Sequence, residues 1–264
     1  MQTSYSRLTD AQWEYIKKFL NWKRKRELSL RDVLDAIFYV TKTGIQWREL
    51  KETKFPDWTA VYYYYDKWKN NGTIEAINED LLKVEREQLG RKPSPSLGLV
   101  DSQSIKLAPM IGEQRGIDGH KKVNGRKRHI LSDVRGRIYK AYVHAANLHD
   151  STEGINLLPD NIEQKMESSL FCRLETVLTD KTYRGTFATK VAELDIKFEI
   201  PNRPEGVKGF VVEAKRWVVE RSFAWLNFYR RVVIDYERTT KSAETFLLLA
   251  NISMIIPKIK FNAI

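Results

Sequence analysis

Three carboxylates stand where a divalent cation could be held. Asp101 closes the apolar run LGLV, Asp180 closes TVLT, and Glu220 lies in AKRWVVERSFAWL, which reads as helix. Hard cations such as Mg²⁺ take oxygen ligands and commonly combine a few carboxylates with substrate phosphates. Two such ions about 3.5–4 Å apart can activate an attacking oxygen and stabilise a leaving one in phosphodiester cleavage. Two acids at strand ends and one on a covering helix suit that geometry. Spacing alone does not single them out, because the chain has 34 acidic residues. Asp133, inside a hairpin, competes as a solvated side chain or a fourth ligand, and Asp150, in NLHDSTEG, competes as a helix cap. His120, His129, His144 and His149 match no familiar zinc spacing and read as surface or hydrogen-bonded residues.

The elements that must position these acids fall into two halves. Residues 1–92 carry helical patterns: Trp13, Ile16, Phe19 and Leu20 after a cap at Asp10, then Val33, Leu34, Ile37 and Phe38 between Ser29 and Gly44. Val61, Tyr65 and Trp68 line one side of a third helix that follows FPDW and closes at Gly72, and a fourth runs from Thr73 to Leu89. Short helices with tight turns predict a small all-α, helix-turn-helix-like domain. The linker KPSPS, residues 92–96, ends it.

Beyond the linker, residues 97–264 alternate strands and helices. LGLVDSQSIKL, RHILSDV and IYKAYVHAA predict three antiparallel strands, the last two joined at Arg135-Gly136-Arg137. TVLTD and IKFEIP are later strands, and STEGINLLPDNI, TFATKVAELD, residues 206–229 and SAETFLLLANISMII are helices. That order predicts an α/β domain, a mixed sheet flanked by helices.

With 45 Lys plus Arg and a formal charge of +11, the chain favours a polyanionic partner. Nine bases lie between 115 and 140, among them Lys121, Lys122, Arg126, Lys127 and Arg128, and they read as a ribbon along a phosphate backbone or as a solvated hairpin. The glycine-rich GIDGHKKVNG before them predicts a mobile loop that orders on DNA. Lys23, Arg24, Lys25 and Arg26 form a second basic cluster. Lys181 and Arg184 flank Asp180, and Arg216 and Arg221 flank Glu220. Tyr62, Tyr63 and Tyr64 are expected to face DNA or a partner protomer in part, with Trp47, Trp58 and Trp217 in the core. No run of roughly 18 apolar residues exists to span a membrane. The first residues lack a signal peptide's apolar core, and the single cysteine, Cys172, excludes an internal disulfide, so a cytoplasmic place is expected.

DSQS (101–104), GRKRHILSDVRG (125–136), LTDKTYRG (178–185) and VVERSFAWLNFYRR (218–231) resemble bacterial insertion-sequence transposases of the DDE type, families four and five. GIQWREL (44–50) and FPDWTAVYYYYDKW (55–68) resemble the helical domain that precedes the catalytic one there. The resemblance implies a ribonuclease-H-like catalytic fold with the triad Asp101, Asp180 and Glu220 holding two Mg²⁺ or Mn²⁺ ions. It also implies double-stranded DNA as substrate (transposon ends and target), a homodimer or larger assembly, and a nucleoid-associated place in a bacterial cell. The family's last-helix signature finds Arg216 and Glu220 in place, but Glu213 stands for its tyrosine and Asn227 for its lysine, so Arg230 or Arg231 is expected to supply that charge. A DNA-binding protein without catalysis and a stand-alone nuclease of the same fold are the alternatives.

Overall fold

The computed structural model describes residues 5–23, 27–201 and 216–261. Its first helix, α1 (Asp10–Ile16), is capped by Thr9 rather than by the expected Asp10. The Thr9 hydroxyl accepts from the Gln12 amide while the Gln12 side chain accepts from the Thr9 amide, a reciprocal box that Asp10, already inside the first turn, cannot make. Ser29 caps α2 (Leu30–Thr43), which ends at Gly44 with φ +72°, the left-handed conformation glycine tolerates best. Asp57 caps α3 (Trp58–Asn70), and α4 (Thr73–Gln88) follows Gly72. Val61, Tyr65 and Trp68 are buried, as their spacing predicts, while Tyr62 and Tyr63 are exposed.

The sheet is built around β1 (Leu97–Lys106). On one side β3 (Val123–Ser132) runs antiparallel to it and β4 (Ile138–Ala145) antiparallel to β3; on the other, β5 (Thr176–Leu178) and β6 (Lys197–Glu199) run parallel. The strand order β4-β3-β1-β5-β6 is a mixed sheet, the class expected from the sequence. A short strand, β2 (Gly116–Asp118), pairs with the start of β3. This corrects the reading of GIDGHKKVNG as a mobile loop: Asp118 accepts from the His120 and Lys121 amides and folds the segment into a hairpin. Parallel neighbours need crossovers, supplied by α5 (Asp150–Glu153) and α6 (Ile162–Glu167) before β5 and by α7 (Thr186–Glu193) before β6. Two helices complete the described chain, α8 (Arg216–Leu226) and α9 (Thr240–Ile255); α8 covers only the end of the helix expected over 206–229, whose residues 206–215 lie outside the described ones.

One hydrophobic core runs from Leu8 to Ile259 through both halves of the sequence. Helix α9 is its keystone, packing against α2 and α4 on one side and β4 on the other. Asn251 on α9, fully buried, accepts from the Ile138 amide and donates to the Ile138 carbonyl and to Asn78 of α4, tying three elements at one point. Charged pairs reinforce the junction. Arg137 meets Glu85 through two guanidinium nitrogens at 2.6–3.1 Å, and Arg86 donates to Asp133 at 2.7 Å. Asp133 also accepts from the Arg135 and Arg137 amides, so it closes the β3–β4 turn from the inside. Neither of its sequence readings, solvated side chain or fourth metal ligand, holds for a fully buried, paired carboxylate.

Glu244 on α9 accepts from the Val143 amide at 2.9 Å, and burial pushes its carboxyl up to about 7. A carboxyl whose folded pKa is raised binds its proton more tightly when folded, so its contribution is full below the ordinary value near 4.5 and is lost as pH rises toward 7. Urea unfolding at pH 5 and pH 8 should therefore show wild-type protein losing stability over that interval relative to Glu244→Gln, which keeps the acceptor but does not titrate. Equal pH dependence of the two proteins would contradict the buried carboxyl.

Candidate active site

The register of the sheet decides where the acids fall. Leu97, Gly98 and Leu99 of β1 pair in parallel with Thr176, Val177 and Leu178 of β5. Asp101 and Asp180 each lie two residues beyond the last of these pairs, so they stand level and on the same face of adjacent segments. Neighbouring strands are separated by roughly 4.8 Å, which sets their backbones side by side. Asp180 caps the turn Lys181–Tyr183, its Oδ1 accepting from the Thr182 amide at 2.9 Å and from the Thr182 hydroxyl. Asp101 Oδ1 accepts from the Ser102 amide at 2.7 Å. Both side chains are half-buried.

Glu220 comes from α8, which packs on β1. Gln103, on the Asp101 face of β1, accepts from Arg128, whose guanidinium lies 5.7 Å from the Phe223 ring centroid. Phe223 sits one turn after Glu220 on the same stripe of α8. Asp101 and Glu220 therefore share one side of the sheet, with Glu220 exposed. Among the described residues no three His, Cys, Asp or Glu side chains close into a ready-made metal cage. The arrangement is two aspartates at matching places on paired segments and a glutamate on the helix packed on β1, all hard oxygen donors. That donor chemistry suits Mg²⁺ or Mn²⁺.

The surroundings of Asp180 are cationic and open. Lys181 and Arg184 are both exposed. Gly185, at φ +89°, turns the chain into α7 a few residues past Asp180. A cavity of about 420 Å³ exists elsewhere, lined by residues such as Phe38, Lys42, Trp225 and Tyr229, and contains none of the three acids.

Most of the expected basic ribbon points inward. Arg126 is fully buried, donating to Asp235 at 3.1 Å and to the Glu237 carbonyl at 2.8 Å. Arg128 is buried against Gln103 and the Val232 carbonyl, and burial pulls its guanidinium down to about 10. Lys127 is buried too, 2.9 Å from Asp150 and donating to the Leu148 carbonyl. Arg231 pairs with Glu237 at 2.7 Å under the surface. For the three on β3 the reason is topological: β3 runs between β1 and β4 with both faces covered, so its side chains cannot reach a phosphate backbone. These four residues are internal braces, and their assignment to DNA is withdrawn. Lys121 and Lys122, at the β2–β3 tip, and Arg230 and Lys23 are exposed as expected. The structure describes α8 from Arg216 onward but not the Arg216 side chain; Arg24, Lys25, Arg26 and Glu213 lie outside the described residues. Trp217 is not core. It is 43% exposed, and Arg221 stacks between it and Trp225 at 4.4 and 4.5 Å.

Residues 92–255 match the family model described as "Transposase DDE domain". The chain belongs to the DDE transposases. Residues 8–78 match a second model, "Putative transposase of IS4/5 family". Two curated relatives are similar to parts of this transposase. The "Putative transposase for insertion sequence element IS402" of Burkholderia cepacia is 30% identical over 128 residues, 47% of this chain and 60% of the relative. The "Uncharacterized protein y4sN" of Sinorhizobium fredii (strain NBRC 101917 / NGR234) is 32% identical over 74 residues, 26% of this chain and 58% of the relative. The chain thus spans less than two thirds of the length of either. Among the described residues of the transposase, no helix is long and apolar enough to cross a membrane.

Sequence reasoning read His129 and His144 as surface or hydrogen-bonded residues, and they are hydrogen-bonded, but it gave no role to Tyr183 behind the two aspartates. His129, His144 and Tyr183 are buried, His129 is hydrogen-bonded to each of the other two, and Asp150, held by Lys127 and Ser102, lies 3.6 Å from His129 Nε2. Asp150 is not the cap of α5, a role taken by His149. The alternation of His129 with Lys127 on one face of β3, opposite Ser102 and Ser104, was the available signal.

Proposed function

We propose that this DDE transposase binds the terminal inverted repeats of its insertion sequence, cleaves DNA at each end and joins the freed 3′-hydroxyl to target DNA, a cut-and-paste reaction. One observation carries the reading: the parallel register sets Asp101, midway along β1 rather than at its end, level with Asp180, two residues past β5, and the helix bearing Glu220 packs on β1. These three would hold two Mg²⁺ or Mn²⁺ ions. When bound, such ions act as Lewis acids on the attacking and leaving oxygens of the phosphodiester. The protein's own contribution is placement. The carboxylates fix where the scissile phosphate must sit, while Lys181, Arg184 and the start of α7 offer positive potential beside it. Lys121, Lys122, Arg230, Arg216 and the Arg221–Trp217 stack extend that potential along a duplex. No serine or tyrosine nucleophile is needed, because a hydroxyl from water or DNA attacks directly.

Residues 1–92 would serve end recognition or dimerisation and residues 97–264 catalysis, in a homodimer or larger assembly, since two ends must be handled together. A cytoplasmic, nucleoid-associated place follows from that role. The test is cleavage of a duplex carrying the element's own end, beside a scrambled duplex, in Mg²⁺ and in chelator. Nicking at the repeat boundary, in Mg²⁺ only, is expected. Repeat-specific binding with no cleavage in Mg²⁺ or Mn²⁺ would mark a DNA-binding protein without catalysis. Cleavage blind to the repeat would mark a nuclease.

A further inference from the structure

The two aspartates sit on separate segments, and one buried phenol ties the segment of Asp180 to the strand paired with that of Asp101. Tyr183 is three residues past Asp180 and fully buried. Its hydroxyl lies 2.6 Å from His129 Nδ1 on β3, and His129 is paired across the sheet with Ser102, the residue after Asp101. Ser102 in turn donates to Asp150 Oδ1 at 3.2 Å, the oxygen that Lys127 holds at 2.9 Å.

The direction of the chain follows from its far end. The Ala145 carbonyl can only accept, so His144 Nδ1, at 2.8 Å, carries hydrogen. In the neutral ring His144 Nε2 is then an acceptor, and His129 Nε2, 2.7 Å away, must donate to it. That leaves His129 Nδ1 as an acceptor, and the Tyr183 hydroxyl donates to it. Both imidazoles are neutral and fully used, as their burial requires. The phenol ring has no freedom to shift: it meets His129 edge-on at 5.6 Å and Phe187 at 5.1 Å, and a Cβ at Gly154 would fall 2.7 Å from its Cε1.

We propose that Tyr183 is a positioning residue that fixes Asp180 relative to Asp101, with His129 and His144 behind it holding the phenol's orientation. The inference rests on the assignment of Asp101 and Asp180 as metal ligands. Groups that orient ligands from behind typically change metal affinity by about 10–100-fold when removed.

Mn²⁺ binding to the full chain, followed by electron paramagnetic resonance without DNA, tests it apart from activity. Tyr183→Phe is expected to weaken Mn²⁺ binding by about tenfold or more, with metal-free affinity for end DNA unchanged. His129→Leu, which removes the phenol's acceptor from the β3 side, should move affinity in the same direction and keeps the test open if the first variant does not fold. Val33→Ala, a core change in α2 remote from the site, should destabilise the protein and leave Mn²⁺ affinity at the wild-type value. Wild-type affinity in both Tyr183→Phe and His129→Leu, alongside weak binding by Asp101→Asn, would overturn the brace alone. Wild-type affinity in Asp101→Asn would overturn the metal-ligand assignment and the brace with it. An equal loss in Val33→Ala would show that the effect is general loosening, and that also overturns the proposal.

Discussion

Asp180→Asn should lower Mg²⁺-dependent strand cleavage by about a thousandfold or more while repeat binding stays within a few-fold of wild type. The substitution is nearly isosteric and keeps an oxygen for the Thr182 amide, so the turn that follows β5 should persist. What it removes is one negative charge from the pair at Asp101 and Asp180. Charge stabilisation of a transferring phosphoryl group at a preorganised site contributes several kcal/mol, and a thousandfold corresponds to about 4 kcal/mol. Binding should survive because sequence-independent DNA affinity comes from cations, and Lys181 and Arg184 remain exposed. A rate within tenfold of wild type for Asp180→Asn or Asp101→Asn would sink the assignment of these carboxylates to the reaction.

The second large effect is structural. Glu85 on α4 is almost fully buried, and it faces Arg137 at 2.6 Å and Arg135 at 3.7 Å, with Arg86 and Asp133 alongside. Removing Glu85 leaves three guanidinium groups facing one carboxylate, at a junction that holds α4 to the β3–β4 hairpin. Breaking one side of a buried pair costs about 3–5 kcal/mol, whereas replacing both partners with apolar residues of similar size is often close to neutral. Glu85→Ala should therefore lower the urea midpoint by at least about 1 M, and Glu85→Leu with Arg137→Met should recover most of the loss. Full cost in the double variant would mean that Arg137 matters for reasons other than Glu85.

The helical half was legible because its signals are local. Ser29 and Gly44 bracket α2 through cap chemistry that acts within one turn, and Val61, Tyr65 and Trp68 share a face by period alone. Thr9 replaced Asp10 because two adjacent residues both fit the cap rule, and only the reciprocal bond to Gln12 chooses between them. Two apolar runs ending in aspartate put Asp101 and Asp180 at matching places in the parallel register, but the expectation that both close a strand holds only for Asp180, since β1 runs on past Asp101 to Lys106. The basic ribbon misled for the opposite reason. Arg126, Lys127 and Arg128 look like a phosphate contact surface in one dimension, since nothing near them in sequence neutralises them. Their partners, Asp235 and the Glu237 carbonyl more than a hundred residues later, Gln103, and Asp150, arrive only when the sheet forms. Trp217 deceived similarly: its size argues for burial, but its place on α8 leaves it outside, stacked on Arg221.

Helix α9 bears on how the polypeptide emerges during synthesis. It covers β4 and α4 at once, yet it is made after both, from residues 240–255. Until that stretch leaves the ribosome, the outer face of β4 and the apolar side of α4 have no lid, and Asn78 and Ile138 lack the amide that joins them. The nascent transposase must therefore hold sticky surface open to chaperones until residues 240–255 have been made.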